Sequence, residues 1–225
     1  MIRVSIIIPV RESYEILRRQ ILYMNNILGI SDPIEVVVVD HANKPKLEDS
    51  LTVEPTFNIK FIYCDNPKPW ILSTLFNIGR QNADGKYLMT KGIDHMISLK
   101  WALWAETADA DWQRFNRIWA RIEENGRLNI LKIDVNGEIS KLSGEIKKSP
   151  PATCDWCSTE LWDKVGGYDE NYDGGRTMGL VFRRKVAKAI GVRNINKYGP
   201  DIYMHPEVSS SLRQHHLFHS FDRNV

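Results

Sequence analysis

Residues 87–95, "YLMTKGIDH", run out of an apolar stretch into a small residue and then set a carboxylate, Asp94, beside an imidazole, His95. In an open α/β sheet ligands settle outside the C-terminal ends of the strands, so a carboxylate delivered there is placed for ligand contact. Asp40 stands in a similar position, at the end of "IEVVVVD". A carboxylate there can accept from a base imide N–H or a ribose hydroxyl, or cap the turn that follows. Cys154 and Cys157 have the spacing of half a zinc site or of a redox pair. No second pair of ligand residues stands at a suitable distance, and with Cys64 the cysteines number three, so reduced thiols in a reducing compartment are expected. The tail at 213–223 is basic and rich in histidine, but a formal net charge of +2 permits a nucleic-acid partner without indicating one.

The elements that must position these residues begin with two near-continuous β-branched runs, 4–10 and 34–39. Both read as central parallel strands buried on two faces. Between them Ser13 is placed to cap "YEILRRQILYMNNIL", whose Ile16, Leu17, Ile21, Leu22 and Met24 make one apolar face. Strand, helix, strand is the right-handed crossover unit. A third strand over 59–63, a helix over 71–81 that stops near "NADG", and a fourth strand "KYLMT" follow, the last delivering Asp94. Repeated βα units with no second composition regime imply one open α/β sheet in a single domain, 1–225. The opening "MIRVSIIIPV" is too short for a signal-peptide core or a membrane span, so a cytoplasmic protein without a span is expected.

Farther on, Trp101, Trp104, Trp112, Phe115, Trp119 and Ile122 recur at helical steps, which predicts one helical face, carried across two helices broken near "ADAD". Such a stripe reads first as core, with an indole face also suited to a sugar or base. "LNILKIDVNGEISKL" predicts a hairpin about Asn136-Gly137. After the loop "KKSPPATCDWC" come a helix "STELWDKV", the turn "GGYDENYDGG" and a helix "MGLVFRRKVAKAIG".

Over residues 4–205 this pattern resembles the family 2 glycosyltransferases of the GT-A fold. The resemblance rests on "VSIIIPV", "IEVVVVDHA", "FNIGRQNADGKYLM" and "STELWDKVGGYDE" in that order. Within them Asn77, Ala83 and Gly85 match an Asn and an Ala-x-Gly, and residues 166–170 match a Gly-Gly-aromatic-Asp-Glu turn. It implies a Rossmann-like open mixed sheet flanked by helices, with a nucleotide-sugar-binding half over 1–95 and an acceptor-binding half with a C-terminal tail over 96–225. By the same resemblance, Pro9, Val10, Arg11, Glu12 and Asp40 hold the donor nucleoside, with Asn77 and the loop of Gly92, Ile93 and Asp94 also on the donor side.

In that family an Asp-x-Asp motif lets a divalent cation bridge the protein and the donor diphosphate. The matching triplet here is Gly92-Ile93-Asp94, without the first Asp. Asp94 is then expected to hold Mn²⁺ or Mg²⁺, with His95 an orienting or surface residue. A further histidine ligand near the C-terminus is implied; His205 and His215 are candidates, and His216 and His219 are preferred. Inverting relatives also carry a Glu-Asp pair seven residues before an Arg, and counting back from Arg183 those positions hold Arg176 and Thr177. The base then falls to Asp173, with Asp155 and Asp169 as alternatives. Asp155 beside Trp156 resembles an acceptor-side carboxylate and platform, and Arg176 suits the diphosphate as a fixed positive charge.

The implied function is metal-assisted transfer of a sugar, with inversion, from a nucleotide-diphosphate donor to a hydroxyl of a glycan or other acceptor. The competing reading is a binding module of the same fold that holds a nucleotide sugar or glycan without turning it over. A nucleotidyltransferase would want a Gly-rich basic loop after the first strand, and "PVRESYE" has no glycine. A P-loop and a dinucleotide fingerprint are likewise absent.

Overall fold

The computed structural model describes residues 1–11, 13–29, 32–41, 51–64, 72–133, 139–141, 154–172, 175–191 and 198–204. The two β-branched runs form β1 (Val4–Val10) and β2 (Ile34–His41), each buried along its whole length. They pair in parallel from Val4 opposite Ile34 to Val10 opposite Asp40. Between them lies α1 (Tyr14–Met24), which turns Leu17, Gln20, Ile21 and Met24 inward. Its expected cap behaves differently, since the Ser13 hydroxyl donates to the Arg11 carbonyl at 3.1 Å and accepts from no helix N–H. β3 (Asn58–Cys64) adds in parallel to β2. α2 (Leu72–Gln81) then leads to β4 (Tyr87–Thr90), parallel to β1 on its other side.

The turn between α2 and β4 is pinned from below. Ser5 Oγ donates to Glu35 Oε1 at 2.6 Å, and Asp84 N donates to the same oxygen at 2.7 Å. Gly85 N donates to Ser5 Oγ at 2.8 Å, and a Cβ on Gly85 would lie 2.6 Å from Ser5 N. The glycine of the Ala-x-Gly match therefore has a packing cause: close approach of two backbones.

The remaining elements are β5 (His95–Met96), α3 (Leu99–Ala105), β6 (Trp112–Ile122), β7 (Leu128–Ile133), β8 (Ile139–Lys141), β9 (Asp155–Ser158), α4 (Thr159–Val165), α5 (Gly175–Ala189) and β10 (Tyr198–Met204). The sheet runs β3-β2-β1-β4-β9-β6-β10-β5, with β7 and β8 branching from β6. β9 is antiparallel to both β4 and β6, so the sheet is mixed, and it draws strands from both halves of the chain. The expected hairpin is present as β7 against β8, with Ile133 opposite Ile139. Its turn, 134–138, lies outside the described residues. α4 is capped by Ser158, whose hydroxyl accepts from Leu161 N, and ends at Gly166 with φ +74°, where a glycine tolerates the left-handed turn.

Two expectations are corrected here. The aromatic stripe is helical only over α3; from Trp112 onward it is a strand. Trp112 and Phe115, three apart, fall on opposite faces of β6 and enter different core clusters. Steps of three and four fit helical spacing, but pairing with β9, β10 and β7 overrides it. The segment around "CDWC" is not loop but the buried central strand β9. Three-residue spacing beside a strand also sends Cys154 and Cys157 into different clusters, so the pair does not converge on a metal or a disulfide.

Candidate active site

β1 is flanked by β2, reached by one crossover, and by β4, reached after the chain has gone out to β3 and returned. The strand order thus reverses at β1, and the crevice at its C-terminal end is the place where open α/β sheets take ligands. Val10 and Arg11 leave β1 there. Asp40 stands beside Val10 at the end of β2, 1% exposed, with the Tyr14 hydroxyl 3.5 Å from its Oδ2. From the other side comes the loop after β4, which begins as Lys91 N donates to the Ile7 carbonyl at 3.1 Å. Pro9 and Val10 have buried side chains, so this edge offers a ligand their backbone.

The loop at 91–95 is held from beneath by two polar side chains that sequence reading did not single out. Gln20 of α1 is buried; its amide nitrogen donates to the Ile93 carbonyl, and its Oε1 accepts from Lys91 Nζ at 2.7 Å. Lys91 Nζ also donates to the His95 carbonyl at 2.7 Å. Burial lowers the Lys91 ammonium to about 8, against the opposing pull of Cys154 and Asp94. A lysine closing the apolar strand "YLMTK" was the available signal.

At the tip of the loop, Asp94 Oδ1 lies 2.8 Å from His95 Nδ1, as an ion pair whose angles fall short of an aligned hydrogen bond. The side chains are 14% and 4% exposed. Burial works against both charges. For Asp94 the His95 charge outweighs it and holds the carboxyl below the usual carboxylate range. For His95 the Asp94 carboxylate, helped by Cys154, raises the imidazole to about 10. His95 is therefore neither a surface residue nor a loop ornament; it is the buried partner of the expected ligand.

A second polar cluster lies where β4 meets β9. Asp155, 1% exposed, accepts from the Tyr168 hydroxyl at 3.0 Å through Oδ2 and from Arg183 Nε at 3.1 Å through Oδ1. Thr90 Oγ1 lies 3.0 Å from the same Tyr168 hydroxyl. Burial pushes the Asp155 carboxyl up while Arg183 and Tyr168 pull it down, and the net shift is upward. Arg183 is pulled the other way from its own burial and held charged by Asp155. These two directions conflict over one pair. We stand behind the ionised pair, because both carboxylate oxygens already have donors.

No family model matches the sequence, and no curated protein does either. Solved structures do match. The mannosyltransferase PcManGT of Pyrobaculum calidifontis, solved with GDP-Man and Mn²⁺, superposes with a TM-score of 0.58 at 13% identity over 90% of this chain and 56% of that one. S. aureus TarS 1-349 gives 0.52 at 16% identity, over 91% and 60%. HddC from Yersinia pseudotuberculosis gives 0.52 at 12% identity, over 92% and 96%. This chain has the GT-A fold. It spans little more than half the length of the first two neighbours.

Within the GT-A fold, the structure gathers Pro9, Val10, Arg11, Asp40, Gly92, Ile93 and Asp94 at one sheet edge. Ile93 points inward, 4% exposed. Asn77 does not join them. Its Oδ1 accepts from Tyr168 N at 3.1 Å, and its Nδ2 donates to Tyr168 O and to Glu170 Oε1 at 3.0 and 2.8 Å. Both ends of the amide are spent clamping the Gly-Gly-Tyr-Asp-Glu turn to α2, which is why motif matching alone misplaced it. Trp156 is corrected too: it is fully buried, its Nε1 donates to Ala110 O at 2.7 Å, and Tyr87 stacks on it at 5.0 Å. It offers an acceptor no face. Asp155 is correspondingly a buried structural carboxylate, and Asp169 caps its own turn through Asn171 N at 3.0 Å. Glu12, Asp173, His205, His215, His216 and His219 lie outside the described residues, as does the side chain of Arg176.

Asp94 is the one expected metal ligand among the described residues, and no group of three or more His, Cys, Asp or Glu side chains there is arranged to hold an ion. With one carboxylate oxygen already on His95 and a glycine at the first motif position, the described donor set does not fit a divalent cation, which takes about six oxygen-rich ligands. Among the described residues, no helix is long and apolar enough to cross a membrane.

Proposed function

We propose that this chain binds a nucleotide-diphosphate sugar at the crevice between β1 and β4 and transfers the sugar to an acceptor hydroxyl. The observation that carries this reading is the meeting of Val10, Asp40 and the 91–95 loop at the point where strand order reverses, in a GT-A fold. The Asp40 carboxylate accepts from the base or ribose, the backbone at Val10 and Arg11 faces the nucleoside, and the 91–95 loop borders the diphosphate. Inversion is the outcome that the family resemblance implies, with a glycan or other hydroxyl compound as acceptor. Assignment of 1–95 to the donor and 96–225 to the acceptor within a single domain belongs to the same reading, as does the reducing, cytoplasmic setting that fits three cysteines without a disulfide. The Mn²⁺ or Mg²⁺ expected from the sequence is left out of this reading, because the described residues do not offer it a ligand set.

A second reading is a module that holds the donor without transfer. It is favoured by Asp155, a candidate base whose two oxygens are both engaged in the interior. Screening uridine and guanosine diphosphate sugars by thermal unfolding tests the shared part, since a ligand bound only by the folded state raises Tm by mass action. Release of nucleoside diphosphate in the presence of mixed acceptors then separates transferase from binder. A chain stabilised by no nucleotide sugar refutes both.

A further inference from the structure

The first motif position is not simply vacant. A Cβ on Gly92 would collide with Asp94 Oδ1 and lie 3.3 Å from His95 Nδ1. The Asp94 carboxylate has folded back over residue 92, into space that any side chain there would claim, and so reaches His95. The glycine and the histidine thus act together: one opens the space, the other receives the carboxylate. The backbone that sets this geometry is itself fixed. His95 N donates to Gly92 O at 3.1 Å, Gln20 holds the Ile93 carbonyl, Lys91 holds the His95 carbonyl, and His95 is paired with Met204 across β5 and β10. The Asp94 oxygen that overlies residue 92 is the one 2.8 Å from the His95 ring, and both side chains are largely shielded from water, so a cation at this place would have to displace the imidazole.

We propose that Asp94 is committed to an internal pair with His95 in the space left by Gly92, so that this loop neither takes up a divalent cation nor needs one to receive a nucleotide-sugar donor. The first half concerns the protein alone; the second rests on the donor reading above. The carboxylate oxygen that a cation at this loop would need is already spent on the imidazole.

The test is titration of Mn²⁺ into the protein, alone and with UDP or GDP, following the free-ion electron paramagnetic resonance signal. The wild type at stoichiometric concentration is expected to leave that signal where the same solution without protein has it, and any further uptake it does show is expected to persist in Asp94→Asn. Gly92→Asp combined with His95→Asp rebuilds the carboxylate set and is expected to deplete the signal by one ion per chain. Uptake by the wild type that Asp94→Asn abolishes overturns the proposal. So does a folded double variant that takes up no ion, because the glycine and histidine would then not be what excludes it. If the double variant does not fold, the wild type and Asp94→Asn still decide the matter. Donor-induced thermal shifts measured in EDTA and in Mn²⁺ should be equal. A shift that vanishes in EDTA overturns the second half, whereas no shift in either condition refutes the donor reading and leaves the Mn²⁺ titration to judge the loop.

Discussion

Replacing Arg183 with Met tests the account of the interior most directly. The Asp155 carboxylate is 0% exposed and Arg183 is 16% exposed, so the pair is shielded from water. Met keeps much of the apolar stem and removes the guanidinium, leaving the Asp155 carboxylate with the Tyr168 hydroxyl and the charge of Arg114 on the neighbouring strand. Removing one partner of a buried pair costs about 3–5 kcal/mol, because the other charge stays behind. In a chain of this size each kcal/mol moves Tm by about 2–4 °C, so a fall of about 6–20 °C is expected. The deficit should depend on pH. Without Arg183 the guanidinium no longer opposes burial, so in the variant the folded-state pKa of Asp155 lies above an unfolded value of about 3.9 and the folded variant prefers the protonated acid. For a raised carboxyl, the stabilisation is present below the unfolded value and is lost as pH rises toward the folded one. Arg183→Met should therefore resemble the wild type most closely near pH 4 and fall behind as pH rises to neutrality, and adding Asp155→Asn should recover much of the loss. Urea unfolding across that range is the assay. A neutral-pH loss below about 1 kcal/mol, the level of an exposed pair, refutes the reasoning, and so does a loss that ignores pH.

Other expectations are smaller in scope. Asn77→Ala should cost about 1–3 kcal/mol in chemical denaturation, because Tyr168 N and O lose their partners together. Gly167→Ala should cost about 1–2 kcal/mol through its φ of +62° alone, with more from a Cβ placed 2.6 Å from Asn77 Oδ1. Gly85→Ala should cost about 1–3 kcal/mol by forcing the turn off Ser5, seen as a lower urea midpoint with an unchanged slope. Asp40→Ala should reduce or remove nucleotide-sugar-induced stabilisation; an undiminished thermal shift would take Asp40 out of the donor site.

Much of the parallel half was legible because its signals are local. β1 and β2 announce themselves as β-branched runs, and the only way to satisfy such runs is burial on both faces, with α1 crossing between them. The placement of Asp40 at the end of β2 and of Asp94 past the end of β4 follows from chain direction, so the sheet edge where they gather was readable too. The caps and turns at Ser158 and Gly166 carry their chemistry in one or two residues.

What depended on distant partners was not legible. Residues 112–122 have aromatic spacing compatible with a helix, and only neighbouring strands with open hydrogen-bonding edges made them β6. Asp155 and Trp156 read as polar and aromatic chemistry until β4 and β6 closed on either side of them. The role of Asn77 required a turn 91 residues away. Sequence alone determined which residues reach the sheet edge, since a strand's direction and length are local properties. The tertiary structure decided what each carboxylate does there, because its charge is set by the solvent it loses and the partners it meets: Arg183 and Tyr168 for Asp155, and for Asp94 the imidazole that a missing side chain at residue 92 lets it touch.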